Sequence, residues 1–304
     1  MSSITSLDQL VEKVKGLPKR RIAIAVAEDQ NTLGAINEAV QNGFIHPIML
    51  GNAEKIKQLC QSENIDYSNF EIIHFDNEIQ ATQEAVKLVR ENKADVLMKG
   101  LVNTDKFLKA VLDKEKGLLP PKTVMSYVCA VEVPKYKKLL FVSDTAVLPY
   151  PDLDQKIAMV KYSVNMAKKF GIEKPKVALL SAAEKVSAHF QSTLDYAAIC
   201  KMVERKQLPE CIIDGPVDLF LACDPESVKI KGVPTPLEGD ADVLICPSIE
   251  SSNIFYKGLM LFAGGELAGL IQGTVKPVVV MSRSESAKSK YYCIALSCLM
   301  ADEK

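Results

Sequence analysis

The sequence predicts an α/β protein in which a mainly parallel sheet is sandwiched by helices. Three observations carry that reading. Short, continuous apolar runs rich in Ile, Val and Leu recur along the chain, as strands covered on both faces require. Segments of helical periodicity alternate with them through short connections. The 304 residues are long for one ordinary domain and comfortable for two sharing a cleft.

The elements follow in order. Ser6 with Gln9, and Leu7, Leu10, Val11 and Val14 on one face, predict a capped amphipathic helix that Gly16 and Pro18 stop. Arg21–Ala27 reads as a strand, Thr32–Gln41 as a helix ended by Gly43, and Pro47–Gly51 as a second strand. Ile72–Phe75 is a strand, Ile79–Glu91 a helix and Ala94–Met98 a strand. Lys99-Gly100 forms the turn, and Thr104 is expected to cap a helix carrying Phe107, Leu108, Val111 and Leu112. The stretch from Lys114 to Lys122, with Pro120-Pro121, is read as a loop or hinge.

The rhythm then resumes. Strands are expected over Leu139–Val142, Val177–Leu180, Ala241–Cys246 and Pro277–Met281. Helices are expected over Asp154–Phe170, Asp195–Glu204, Ile254–Phe262 and Ser284–Met300, and the glycines of Gly264–Gly269 are read as a loop. No internal repeat or low-complexity tract interrupts the pattern.

Composition excludes several classes. A net charge of −1 supplies no field to draw nucleic acid or an anionic membrane. No apolar run approaches ~18 residues and the start of the chain lacks a signal pattern, so a cytosolic protein is expected. The eight cysteines show no C-x-x-C spacing and read as reduced, buried thiols. His46, His74 and His189 are far apart, so no metal site is expected.

Ligands of parallel sheets bind beyond the carboxyl ends of the strands, so the polar residues after each apolar run are the candidates. They are Lys99 to Thr104, Ser143-Asp144-Thr145, Ser181 to Lys185, Pro247 to Asn253 and Ser282 to Ser286. At the last, three serines and Arg283 fall at the start of a helix, which suits an anion; Ser282 with Glu285 equally fits a capping box. Lys99-Gly100 suits a ligand or a plain β–α turn, and Asp144 suits orienting a group or capping a helix. No P-loop or G-x-G-x-x-G fingerprint and no Ser-His-Asp or Cys-His pairing is present.

Those strand ends also carry a specific likeness. Ala241-Asp242-Val243-Leu244-Ile245-Cys246-Pro247-Ser248-Ile249-Glu250-Ser251-Ser252-Asn253-Ile254-Phe255-Tyr256-Lys257 resembles the ADVL-x-x-P-[DS]-x-E-[AS]-[GS]-N-x-x-YK stretch of the phosphate acetyl/butyryltransferases. Pro277–Arg283, Ser143–Val147 and Met98–Gly100 fit further blocks of that family, from about Ala23 to the C-terminus. The Phe262–Gly269 stretch and the Ser-Arg-x-[DE]-Ser form resemble its butyryl branch.

The resemblance implies two three-layer α/β/α domains with a central cleft, as in isocitrate and isopropylmalate dehydrogenases. The expected ranges are 1–134 plus 269–304 for the first domain and 135–268 for the second. It implies reversible acyl transfer between butyryl-CoA, or a similar short or branched acyl-CoA, and phosphate. Coenzyme A and phosphate are then substrates, no cofactor or metal is required, and a homodimer or higher homo-oligomer is expected. Ser282 and Arg283 would be catalytic; Ser126, Asn253, Tyr256 and Lys257 would bind substrate, with Lys99, Gly100, Thr104, Asp144 and Thr145 from the other blocks and strand ends. Two positions depart from the acetyl enzymes. Ser289 stands where they carry an aspartate, leaving Glu285 the nearest carboxylate in sequence, and Thr123-Val124 stands where they carry an arginine. The alternatives are a phosphate acetyltransferase, a metal- and nicotinamide-dependent hydroxyacid dehydrogenase of the same fold, and a non-catalytic acyl-CoA sensor.

Overall fold

A computed structural model describes residues 3–282 and 285–301. The chain divides into two units, one of Leu7–Met125 with Glu266–Lys304 and one of Met1–Ser6 with Ser126–Gly265.

The first unit starts with α1 (Leu7–Lys15), which buries the predicted Leu7, Leu10, Val11 and Val14. Then come β1 (Arg20–Ala25), α2 (Gln30–Gln41), β2 (Ile45–Gly51), α3 (Ala53–Ser62), β3 (Glu71–His74), α4 (Glu78–Arg90), β4 (Val96–Lys99) and α5 (Thr104–Val111). Asp29 caps α2 by accepting from Thr32 N at 2.9 Å, and Gly43 beyond its end takes the left-handed φ of 81° that a helix stop favours. α3 was not foreseen, because it buries only Ile56 and Cys60 and so carries a thin apolar stripe. Thr104 does not cap α5: Asn103 takes the cap position and Thr104 is the first helical residue, exposed.

In the second unit the elements are β5 (Ser126–Glu132), β6 (Leu140–Ser143), α6 (Leu153–Lys169), β7 (Lys176–Leu180), α7 (Gln191–Glu204), β8 (Ile212–Val217), α8 (Leu219–Cys223), α9 (Pro225–Lys231), β9 (Val243–Ile245) and α10 (Ile249–Ala263). The strands lie in the order β5-β6-β9-β7-β8. β5 runs antiparallel to β6, whereas the other pairs are parallel. β5 and β8 escaped sequence reading for different reasons. The antiparallel β5 breaks the strand–helix alternation, and β8 contains Asp214-Gly215-Pro216, residues that are tolerated at an edge but do not signal a strand.

The chain then returns to the first unit with β10 (Glu266–Gln272), β11 (Val278–Val279) and α11 (Ala287–Met300). The order there is β3-β2-β1-β4-β11-β10, with β10 antiparallel to β11 and the other pairs parallel. Gly264–Gly269 is thus not a loop. Gly264 closes α10 with a φ of 64°, and β10, buried from Leu267 to Gln272, begins two residues later. α11 is buried from Ser289 to Leu299 and packs against α1, α2 and β10, which makes it the central helix of its unit.

None of the eight cysteines forms a disulfide and, except for the half-buried Cys200 and Cys223, they are buried. Burial pushes the Cys246 thiol up to about 12, so it packs as a small apolar group. Among the described residues no helix is long and apolar enough to cross a membrane.

Candidate active site

In the first unit, the carboxyl ends of β1, β4 and β11 gather a compact pocket, walled in part by Met98, Leu101 and Met281. Asp29, Thr32, Lys99, Gly100, Ser282 and Lys290 line it. Lys99 ends β4 and is only 7% exposed; its ammonium donates to the carbonyls of Gly100 at 3.1 Å and Val102 at 3.0 Å. The glycine that follows is required by its own backbone surroundings. A Cβ on Gly100 would lie 2.2 Å from the Val26 carbonyl oxygen. Val26 itself is held at a φ of 61°, a left-handed conformation costly for a β-branched residue, and its carbonyl accepts from Leu101 N at 2.7 Å. The rim of the pocket is therefore strained and tightly packed, as functional strand ends often are.

Asp29 and Lys290 form the charged floor, with Lys290 Nζ 3.3 Å from Asp29 Oδ2. Partial burial by itself raises the Asp29 carboxyl, but the hydrogen bond from the Thr32 hydroxyl and the Lys290 charge outweigh it and hold the group below its ordinary range. Lys290 is 4% exposed in the first turn of α11, among buried aromatic and aliphatic neighbours. Ser282 is half-buried at the pocket edge. Arg283, its predicted partner, lies outside the described residues. α11 is capped by Ser286, whose Oγ accepts from Ser289 N at 2.9 Å, so Ser282 and Glu285 do not form the capping box considered above.

The carboxylate nearest to Ser289 is Glu266 of β10, not Glu285. Its Oε2 accepts from the Ser289 hydroxyl at 2.5 Å and from the Ser286 hydroxyl at 2.8 Å. Sequence distance hid this contact, which only the return of β10 alongside α11 creates.

The second unit builds a different cluster around Asp144, which follows β6. Its Oδ1 accepts from Ala146 N and Val147 N, both at 2.8 Å. Its Oδ2 accepts from the Ser126 hydroxyl at 2.8 Å and from Tyr127 N at 2.9 Å. Burial raises this carboxyl above its ordinary value even though four donors act in the opposite direction. α10 is tied to the same loop: the Ser252 hydroxyl donates to the Asp144 carbonyl and Asn253 Nδ2 to the Thr145 carbonyl at 2.9 Å.

The structure therefore brings Lys99, Gly100 and Ser282 together in one unit and Ser126, Asp144, Thr145 and Asn253 together in the other. Ser126 is fully buried with its hydroxyl committed to Asp144, and Asp144 orients its neighbours rather than capping the long helix, which Asp152 caps. Tyr256 is buried on α10, Lys257 is exposed one residue on, and Thr104 is exposed on α5. Asp29, Thr32, Lys290 and Glu266 were missed. A lysine directly before the largely apolar Tyr291–Met300 run was the available signal for Lys290. A larger groove of about 1060 Å³ runs along α4 and α5, but no predicted site residue lines it. Among the described residues no group of three or more His, Cys, Asp or Glu is placed to hold a metal.

The chain resembles known proteins along nearly its whole length. The family profile described as phosphate acetyl/butaryl transferase matches residues 5–87 and 76–298. A phosphate butyryltransferase of Clostridium acetobutylicum is 40% identical over 99% of this chain and 100% of its own length. A phosphate acetyltransferase of Thermotoga maritima is 37% identical over 97% of this chain and 99% of its own. Among solved structures, a branched-chain phosphotransacylase from Enterococcus faecalis V583 superposes with a TM-score of 0.82 at 30% identity, covering 94% of this chain and all of that one. The chain belongs to the phosphate acetyl/butyryltransferase family.

Proposed function

We propose that the protein is a phosphate butyryltransferase, converting butyryl-CoA and phosphate reversibly to butyryl phosphate and CoA. The observation that carries this is the 40% identity, end to end, with a protein of that name. A phosphate oxygen attacks the thioester carbonyl carbon, the C–S bond of the tetrahedral centre breaks, and CoA leaves as a thiolate that takes up a proton. Such a reaction needs two anionic partners held in register and an oxyanion stabilised. In this reading Arg283 neutralises phosphate and Ser282 donates to the reacting oxygen. Lys99, Gly100, Thr104, Ser126, Asp144, Thr145, Asn253, Tyr256 and Lys257 serve substrate binding, with Asp144 acting through Ser126 and the backbone it fixes. The enzyme works in the cytoplasm as a homodimer or higher homo-oligomer, without a metal or bound cofactor.

Butyryl exceeds acetyl by two methylenes, worth about 1.6 kcal/mol if fully buried, or roughly fifteenfold in preference. The likeness to a branched-chain phosphotransacylase supports tolerance of isobutyryl and isovaleryl groups. The likeness to an acetyltransferase supports acetyl as the second reading. The test is release of CoA followed with a thiol reagent, with and without phosphate, from butyryl-CoA and acetyl-CoA side by side. Phosphate-dependent release favouring butyryl supports the reading, release favouring acetyl transfers it to the second, and no release with any short acyl-CoA removes both. Arg283→Ala should lower turnover by about a hundredfold or more, and near-normal turnover would remove Arg283 from the mechanism.

A further inference from the structure

Lys290 is 4% exposed, yet the hydrogen bond its ammonium makes is a long one of 3.3 Å to Asp29 Oδ2. A lysine ammonium has three N–H donors, so two are left for something else. Leaving such donors dry inside a protein is costly, and the pocket they share with Ser282, Lys99 and Gly100 is where a partner would sit. Two ammonium groups and one carboxylate line that pocket, so the lining favours an anion. The partner must be small and must offer several acceptors, because α11, β4 and the tight Gly100–Val26 contact leave little room.

We infer that Lys290 binds the phosphoryl group, as inorganic phosphate or as the phosphate end of the acyl phosphate, and that Asp29 is its positioning residue. This rests on the acyltransfer reading and names for it a second cation besides Arg283. Asp29 holds the ammonium through one N–H; Thr32 fixes Asp29 in turn, with its backbone N at 2.9 Å and its hydroxyl on the same oxygen. The remaining donors point the charge at phosphate oxygens beside Ser282. Neutral substitution should therefore weaken phosphate without touching the acyl-CoA.

Two readouts keep the inference separate from the activity it rests on. The first is binding alone: inorganic phosphate should raise the melting temperature of the full-length protein and not that of Lys290→Gln, whatever either catalyses. An equal rise in both overturns the inference. The second is kinetic. With phosphate-dependent CoA release established for the unaltered protein, Lys290→Gln should raise KM for phosphate by about tenfold or more and leave KM for butyryl-CoA within about twofold. Lys290→Arg, which keeps the charge, should restore most of the loss. An unchanged KM for phosphate, or an equal rise in both KM values, would show a structural lysine and sink the proposal. Should Lys290→Gln fail to fold, crystals of the unaltered protein with tungstate decide the matter: a tetrahedral anion against Lys290 Nζ supports it, and an anion bound only elsewhere overturns it.

Discussion

Asp29 and Asp144 are both carboxylates just beyond a strand, one in each unit, yet the folded protein moves them in opposite directions. Asp144 is 1% exposed and accepts from three backbone N–H groups and one serine hydroxyl, and burial still raises its carboxyl. Asp29 keeps 23% of its side chain exposed, faces an ammonium, and is lowered. Burial decides the sign: at the partly wet Asp29 the Thr32 hydroxyl bond and the Lys290 charge outweigh desolvation, whereas at the dry Asp144 four neutral donors do not. The first arrangement is a closed internal clamp. The second is an open, charged pocket whose groups still have capacity to bind.

The largest expected effect breaks the clamp. Asp144→Ala takes the acceptor from four donors, two of them buried and two partly buried, and should cost about 3 kcal/mol in urea unfolding. Loss of less than about 1 kcal/mol would mean that the loop reforms around water. Next, Gly100→Ala pushes a methyl to within 2.2 Å of the Val26 carbonyl and should cost about 2 kcal/mol. An unaffected melting temperature would show that the β1–β4 rim yields easily. Asn253→Ala removes one partly buried hydrogen bond to Thr145 and should cost about 1 kcal/mol, readable in the same assay. The smallest effect is expected at Thr104, exposed and not capping, where Ala should change stability by less than about 0.5 kcal/mol.

The pH dependence sharpens the contrast. Asp29 has a lowered carboxyl, so its contribution is present above its ordinary 3.8 and is lost as pH falls through its folded value. Asp144 has a raised carboxyl, so its contribution is fully present below 3.8 and is lost as pH rises through its folded value. Urea unfolding across this range should show Asp29→Asn losing its disadvantage only on the acid side. The gap between the native protein and Asp144→Asn should move the other way, against the native protein as pH rises. Parallel slopes for the two variants would contradict the opposed shifts.

Legibility followed locality. α1 was readable to the residue because its apolar stripe and its stops are consecutive in sequence. Lys99 and Gly100 were readable as a strand end, but the reason for the glycine, the Val26 carbonyl, lies 74 positions earlier in numbering and depends on β1 pairing with β4. β5 and β10 were missed because each pairs antiparallel with a neighbour in its own unit and so departs from the strand–helix rhythm. Glu285 was named as the carboxylate nearest Ser289 on sequence distance, whereas Glu266 reaches it in space.

By itself the sequence determined the fold class, the order of most strands and helices, the strand ends where polar residues collect, and the motifs that carry the family. These depend on periodicity and short-range chemistry, which survive in one dimension. Only the tertiary structure decided that Ser126 is locked to Asp144, that Glu266 sits on Ser289, and that Lys290 lies against Asp29 across 261 positions. Those contacts join residues distant along the chain, and a carboxylate or an ammonium acquires its charge state and its free donors only from the neighbours that folding brings to it.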